Sequence, residues 1–161
     1  MHEKGSKKVS DSYTEWIKMV RYEDINAAGR LFGGRLMEWM DEVAGLCALR
    51  HSGCEVTTAA VDDLQFKKGV YVGDVLVVVA RVTHVGNTSI EVRADVYVED
   101  KVSGYRNVIN RAYFTEVCID KNGKPSPVPY DIVPETEGEK ADYDSAKKRI
   151  EMRKMRRKEG F

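Results

Sequence analysis

Long hydrophobic runs are missing from this chain: no stretch approaches the ~20 apolar residues that cross a bilayer, so no membrane-spanning helix is expected. Cysteine is scarce. Cys47, Cys54 and Cys118 are odd in number and none forms a C-x-x-C, which argues against a disulfide framework or a cysteine zinc site and leaves them as reduced packing residues. Only His2, His51 and His84 are present, too few for a histidine-rich metal centre. Net charge is also absent: 26 Lys and Arg balance 26 Asp and Glu, so the chain as a whole offers no electrostatic case for nucleic acid. Glycine patterns of the Rossmann and P-loop kinds do not occur, nor do repeats or low-complexity tracts. The first residues, MHEKGSKKVSDS, carry no apolar signal core, and a cytoplasmic location is expected.

What remains is enough for one domain with a true core, 42% of 161 residues being hydrophobic beside 32% charged. Residues 1–12 read as a flexible arm. Residues 14–21 have strand-like composition with faces too mixed to separate, and 22–30 form a turn rich in Asp, Asn and Gly. After a helix come runs of β-formers at 56–66, 74–84, 89–99 and 107–119. The third is the clearest: Ile90, Val92, Ala94, Val96 and Val98 alternate with Glu91, Arg93, Asp95, Tyr97 and Glu99, which predicts one buried and one wet face. Val85-Gly86-Asn87-Thr88 has hairpin chemistry, and Lys121-Asn122-Gly123-Lys124 closes the last strand. The order is that of an α+β fold with one helix over an antiparallel sheet; a single helix cannot cover every strand, so self-association is expected. All four prolines fall between 125 and 134, in a segment that should run extended over the surface. The tail reads as an exposed basic helix, with eight basic residues and one acid in 147–158. The expected division is 1–12 arm, 13–123 domain, 124–161 extension and helix.

The chain is organised around NAAGRLFGGRLMEWMDEVAGLCALRH, residues 26–51. On a helical wheel Leu36, Met37, Met40, Val43, Ala44, Cys47 and Ala48 share an apolar face, while Arg35, Glu38 and Glu42 lie opposite. Asp41 sits at the edge of the apolar face. Gly45, one turn on, gives it a neighbour without a side chain, although glycine within a helix costs about 1 kcal/mol relative to alanine. Gly33 and Gly34 open the helix, where free N–H groups and the positive dipole end could receive a developing negative oxygen. Spacing alone leaves two readings of Asp41 open: a reacting group, or a carboxylate that borders solvent or pairs across an interface.

Asn26-x-x-Gly29-x-x-Phe32-Gly33-Gly34 with Asp41, then Thr58-x-x-Val61-Asp62-x-x-x-Phe66, Val72-Gly73-Asp74 and Gly86-x-Thr88-Ser89, resembles the hotdog-fold acyl-CoA thioesterases, in the branch related to brain acyl-CoA hydrolase. The likeness runs over residues 14–158, and the proline segment with its basic helix shares it. One departure is Gly69, where family members often carry proline. The resemblance implies a sheet wrapped around the central helix, dimers with sheets joined edge to edge, often as trimers of dimers, and no metal or separate cofactor, coenzyme A being part of the substrate. It implies that Asn26 of one protomer and Asp41 of another share an active site, with Thr58 nearby.

Under that resemblance thioester hydrolysis needs an activated water or an attacking carboxylate, and stabilisation of the oxyanion. Asp41 would supply the first, as base or nucleophile; Gly33 or Gly34 N–H the second. Asn26 would orient carbonyl or water, and Thr58 would hold water or Asp41. Gly86, Asn87, Thr88 and Ser89 would lie along the pantetheine arm. Arg149, Arg153, Arg156 and Arg157 read as a solvated helix face or as phosphate contacts of a neighbour's coenzyme A. Two other readings are a non-catalytic acyl-CoA-binding regulator and a dehydratase. The dehydratase would want a catalytic histidine, a role that His51 and His84, read as surface residues, fit poorly.

Overall fold

The computed structural model describes residues 3–161. Strand β1 (Gly5–Lys8) and a one-turn helix α1 (Val9–Ser12) precede β2 (Thr14–Met19) and a 3-10 turn at Tyr22–Asp24. The long helix α2 (Gly33–Ser52) is followed by β3 (Glu55–Asp62), β4 (Val75–Val85), β5 (Ser89–Glu99) and β6 (Arg106–Ile119). Strand β7 (Tyr130–Val133) and helix α3 (Glu137–Glu159) end the chain. The main sheet is antiparallel in the order β2-β4-β5-β6-β3, and β1 pairs in parallel with β7.

Helix α2 ends where Gly53 takes φ 71° and its N–H returns to Leu49 O at 2.7 Å, a left-handed cap open to glycine without strain. Its buried stripe is Leu36, Trp39, Met40, Val43, Ala44, Cys47 and Ala48, laid on the inward rows of the sheet. Each large side chain there contributes roughly 1.5–3 kcal/mol. The stripe is turned further toward Trp39 than the wheel predicts. Trp39 meets Trp16 edge to face at 6.5 Å, while Met37, expected inside, lies at the rim and is 39% exposed.

Four expectations need correction. The arm is not loose from Gly5 onward, since β1 is tied to β7 and Lys4 pairs with Asp131; Met1 and His2 lie outside the described residues. Strand β3 stops at Asp62 rather than reaching Phe66, because Asp63 turns into the left-handed region at φ 63°, which aspartate tolerates better than most residues. The outer face of β5 is not wet: Glu91 is buried beneath Arg149 of α3, and Asp95 is buried among Arg81, Arg93 and Arg111. The tail helix is therefore a packed element, started by a Thr136–Glu139 capping box and seated through Ala146.

Ion pairs hold α3 in place. Arg149 binds Glu91, Arg153 and Arg156 bind Asp62, and Asp142 binds Arg93. Three of the four arginines read as phosphate contacts are thus engaged within their own chain. The histidines are not surface residues either. His51 is fully buried, and His84 is half-buried against the Tyr143 ring.

Candidate active site

Asp41 lies on the exposed flank of α2, and Thr58 faces it from β3: Thr58 Oγ1 donates to Asp41 Oδ1 at 2.6 Å. That length is typical of a hydroxyl bonded to an ionised carboxylate. Across the sheet Thr58 is paired with Glu116 of β6, and the register slips between Thr58 and Ala60, as at a β-bulge that re-aims a side chain. Both Glu116 oxygens lie near Thr58 Oγ1, at 3.1 and 3.2 Å. Glu116 is buried, which pushes its carboxyl up to about 7; the Asp41 charge acts in the same direction and the Thr58 hydroxyl opposes it.

Asp41, Thr58 and Glu116 line one open cleft of about 590 Å³ together with Gly45 and Leu46. A Cβ on Gly45 would meet no atom within 4 Å, so this side of the helix is free for a substrate or a second chain. Glu116 is the residue that sequence reasoning missed. The signal was there: Ala112, Phe114, Glu116 and Cys118 fall on one inward row, and a carboxylate in such a row is out of place.

Asn26 and Gly33 line a different cavity, of about 260 Å³, with Arg30, Phe66 and Lys68. Asn26 Oδ1 accepts from the N–H groups of Ala28 at 2.9 Å and Arg30 at 3.2 Å, which fixes the amide so that Nδ2 remains as an outward donor. Gly33 and Gly34 stand in the first turn of α2, where N–H groups have no intrahelical acceptor. A Cβ at Gly33 would come within 3.3 Å of the Phe66 ring. The eight residues from Gly33 to Asp41 rise about 12 Å along the helix. An attacking atom and its carbonyl meet at about 3 Å. Within one protomer, then, the helix start and Asp41 cannot serve the same acyl carbon.

Hairpin residues 86–89 form a third locus. Gly86 N–H donates to Ser89 O, and the Thr88 and Asn87 carbonyls accept from Cys118 and Val128 N–H. The Asn87 side chain is exposed on a cleft of about 580 Å³ shared with Lys4, Pro127 and Tyr130. The hairpin borders the Asp41 cleft through the sheet, Ser89 being paired with Val117 and Ile90 with Glu116.

The fold has counterparts among known proteins. A model of the thioesterase superfamily matches residues 28–105. The chain is 38% identical over 135 residues to an acyl-CoA thioester hydrolase of Bacillus subtilis, covering 84% of this chain and 78% of that one. It is 37% identical over 153 residues to the mouse cytosolic acyl coenzyme A thioester hydrolase, covering 92% of this chain but only 39% of the longer mouse protein. Among solved structures, a Staphylococcus aureus acyl-CoA hydrolase in complex with butyryl coenzyme A and coenzyme A superposes with a TM-score of 0.90 at 37% identity, over 96% of this chain and 94% of that one. A hexameric acyl-CoA thioesterase gives 0.89 at 39% identity, over 94% and 97%. Motif, fold and full-length similarity agree, and the chain belongs to the thioesterase superfamily, among its hotdog-fold acyl-CoA thioester hydrolases.

Proposed function

We propose that this protein hydrolyses fatty acyl-CoA to the free acid and coenzyme A, and that Asp41 is the reacting carboxylate. The observation that carries the reading is the 2.6 Å bond from Thr58 to Asp41 Oδ1 on a helix face left open by Gly45. The bond occupies one carboxylate oxygen and orients the group; Oδ2 is enough either to take a proton from water as it attacks the thioester carbonyl or to attack that carbon itself. The chemistry asked of the site is hydrolysis, for which no metal or separate cofactor is proposed.

The oxyanion partners come from a second protomer. The ~12 Å between Gly33 and Asp41, and the separate cavities of Asn26 and Asp41, favour a site in which the helix start and Asn26 Nδ2 of one copy face Asp41 and Thr58 of another. Exposed Leu46 and Leu49 on α2 beside the Asp41 cleft supply apolar surface for that contact, and the hexameric relative makes a trimer of dimers the favoured assembly. The pantetheine arm is assigned to the hairpin, where the Asn87 amide is available. Among the described residues no helix is long and apolar enough to cross a membrane, and three free cysteines suit the reducing cytoplasm proposed as its location.

A panel of short, medium and long acyl-CoAs tests the reading, with free thiol release followed for the wild type and Asp41→Asn. Turnover by the wild type on at least one chain length, lost in the variant, is expected. A wild type inert on the whole panel would overturn the proposal.

A further inference from the structure

Glu116 is a carboxylate that the fold leaves with almost no water and no cation. It is 1% exposed on the inward row of β6. The charged groups that share its cleft are acidic, Asp41 and Glu42 from α2 and Glu55 from β3; β5 presents Ile90 opposite it, and the next inward group along β6 is the Cys118 thiol. Among the described residues no Lys, Arg or His lines this cleft. An ionised Glu116 would be a buried anion facing a second anion.

Its polar neighbour resolves the matter by counting protons. Thr58 has one hydroxyl hydrogen, and the 2.6 Å contact assigns it to Asp41. That hydrogen cannot also serve the Glu116 oxygens 3.1 and 3.2 Å away. With Asp41 exposed and Glu116 buried, the proton that closes this chain of contacts belongs on Glu116, which donates it to a Thr58 lone pair. Burial and the Asp41 charge both hold the Glu116 proton on, so the electrostatics agree with the geometry.

We propose that Glu116 is a positioning residue of the thioesterase site: as a carboxylic acid it donates to Thr58 Oγ1 and so commits the Thr58 proton to Asp41. The inference rests on Asp41 being the reacting group. Once Glu116 ionises it competes with Asp41 for the single Thr58 hydrogen, and the orientation of Asp41 is lost without any change in fold. The acid form is the working form.

The test is the pH profile of kcat and KM for butyryl-CoA, from about pH 5.5 to about 9, in the wild type, Glu116→Gln and Glu116→Ala. The wild-type kcat is expected to fall about 2- to 10-fold through the Glu116 ionisation, the scale of one hydrogen bond, with KM moving less. The side-chain amide of the Glu116→Gln variant would donate to Thr58 at every pH, so that variant should lack the alkaline limb. Glu116→Ala should be slower across the range. Carboxyl-labelled glutamate followed by carbon NMR gives a readout independent of turnover: one titration near neutrality in the wild type that disappears in Glu116→Gln. A Glu116 already ionised at the acid end, or a Glu116→Gln variant that keeps the limb, overturns the proposal. A wild type that hydrolyses no acyl-CoA sinks the functional reading instead, while the carboxyl titration still decides whether Glu116 holds its proton.

Discussion

Arg149 reaches Glu91 with Nη2 2.7 Å from Oε1 and Nε 3.2 Å from both oxygens, and Glu91 also accepts from Thr83 Oγ1 at 2.7 Å. The guanidinium lies 3.6 Å from the centre of the Tyr113 ring, so the contact that docks α3 is at once an ion pair, a hydrogen-bond hub and a stacked plane. Glu91→Ala should cost about 3 kcal/mol, because it leaves a mostly buried cation without its carboxylate and the Thr83 hydroxyl with only its 3.3 Å contact to the residue 91 carbonyl. Replacing Glu91 and Arg149 together by Met should cost less than Glu91→Ala alone, since neither charge is then left unpaired. Urea midpoints of the three proteins decide this, and a Glu91→Ala midpoint equal to wild type would refute the docking role.

The same pair explains what could and could not be read from the sequence. Helix α2 was legible because its 3.6-residue period runs from Leu36 to Ala48 and Gly53 caps it; β5 was legible because its inward residues alternate without a break. The outer face of β5 was not. Alternation records that Glu91, Arg93 and Asp95 point away from the core, but a buried, paired charge and a solvated one look alike in a string of letters. Their partners Asp142 and Arg149 stand some fifty residues on, in a tail whose charge density reads as solvent-facing. In the candidate site, Asp41 was visible as an anomaly on its own helix. Glu116 stands out in its apolar row, but its role depends on Thr58, which faces it from another strand, and that pairing is not legible in the sequence. The separation of Gly33 from Asp41 follows from helix rise alone.

Asp41→Asn should fold and assemble with little change, because an amide oxygen can still accept from Thr58. It should lose about 10²- to 10⁴-fold in kcat, the usual loss when a general base is removed. Size-exclusion profiles and acyl-CoA turnover are the paired measurements. An Asp41→Asn variant that turns over at the wild-type rate would remove Asp41 from the chemistry.

Asn87→Ala tests the pantetheine assignment more cleanly than a change at Gly86, where a Cβ would stand 2.9 Å from Ser89 Oγ and displace a second side chain of the same hairpin. One lost hydrogen bond of about 0.5–1.5 kcal/mol should raise KM for acyl-CoA about 2- to 10-fold with kcat nearly intact. Equal KM values for variant and wild type would return residues 86–89 to the role of an ordinary turn.

His51 should make the fold acid-sensitive. Nε2 lies 3.0 Å from Tyr130 O, which can only accept, so Nε2 carries the hydrogen and the buried Nδ1 has no partner. Burial therefore holds the imidazole below the usual 6.5, the Tyr130 carbonyl opposing and Lys7 and Lys4 assisting. Below pH 6.5 the unfolded chain takes up a proton that the folded chain refuses. The stability contributed by His51 is thus present above the unfolded value and is lost as pH falls through and below it. His51→Gln should show a smaller drop in unfolding free energy between about pH 7.5 and about pH 5.5 than wild type. Parallel curves for the two proteins would mean that His51 does not titrate on unfolding.

A composite site has a consequence that no single-chain site shares. Asn26→Ala removes a donor that orients rather than reacts, so it should reduce kcat by less than Asp41→Asn does, about 10- to 100-fold. If Asn26 and Asp41 of one chain belong to different sites, a dimer holding one Asn26→Ala chain and one Asp41→Asn chain contains one doubly damaged site and one intact site. Random reassortment of the two variants gives such dimers half the time, so about one quarter of all sites should recover full activity. Mixing after mild dissociation, with differently tagged chains to confirm exchange, measures that fraction directly. A mixture that exchanges completely yet stays at the mean of its two parents would place Asn26 and Asp41 in the same chain's site, and the separation of their cavities in the protomer would then need a conformational change to close it.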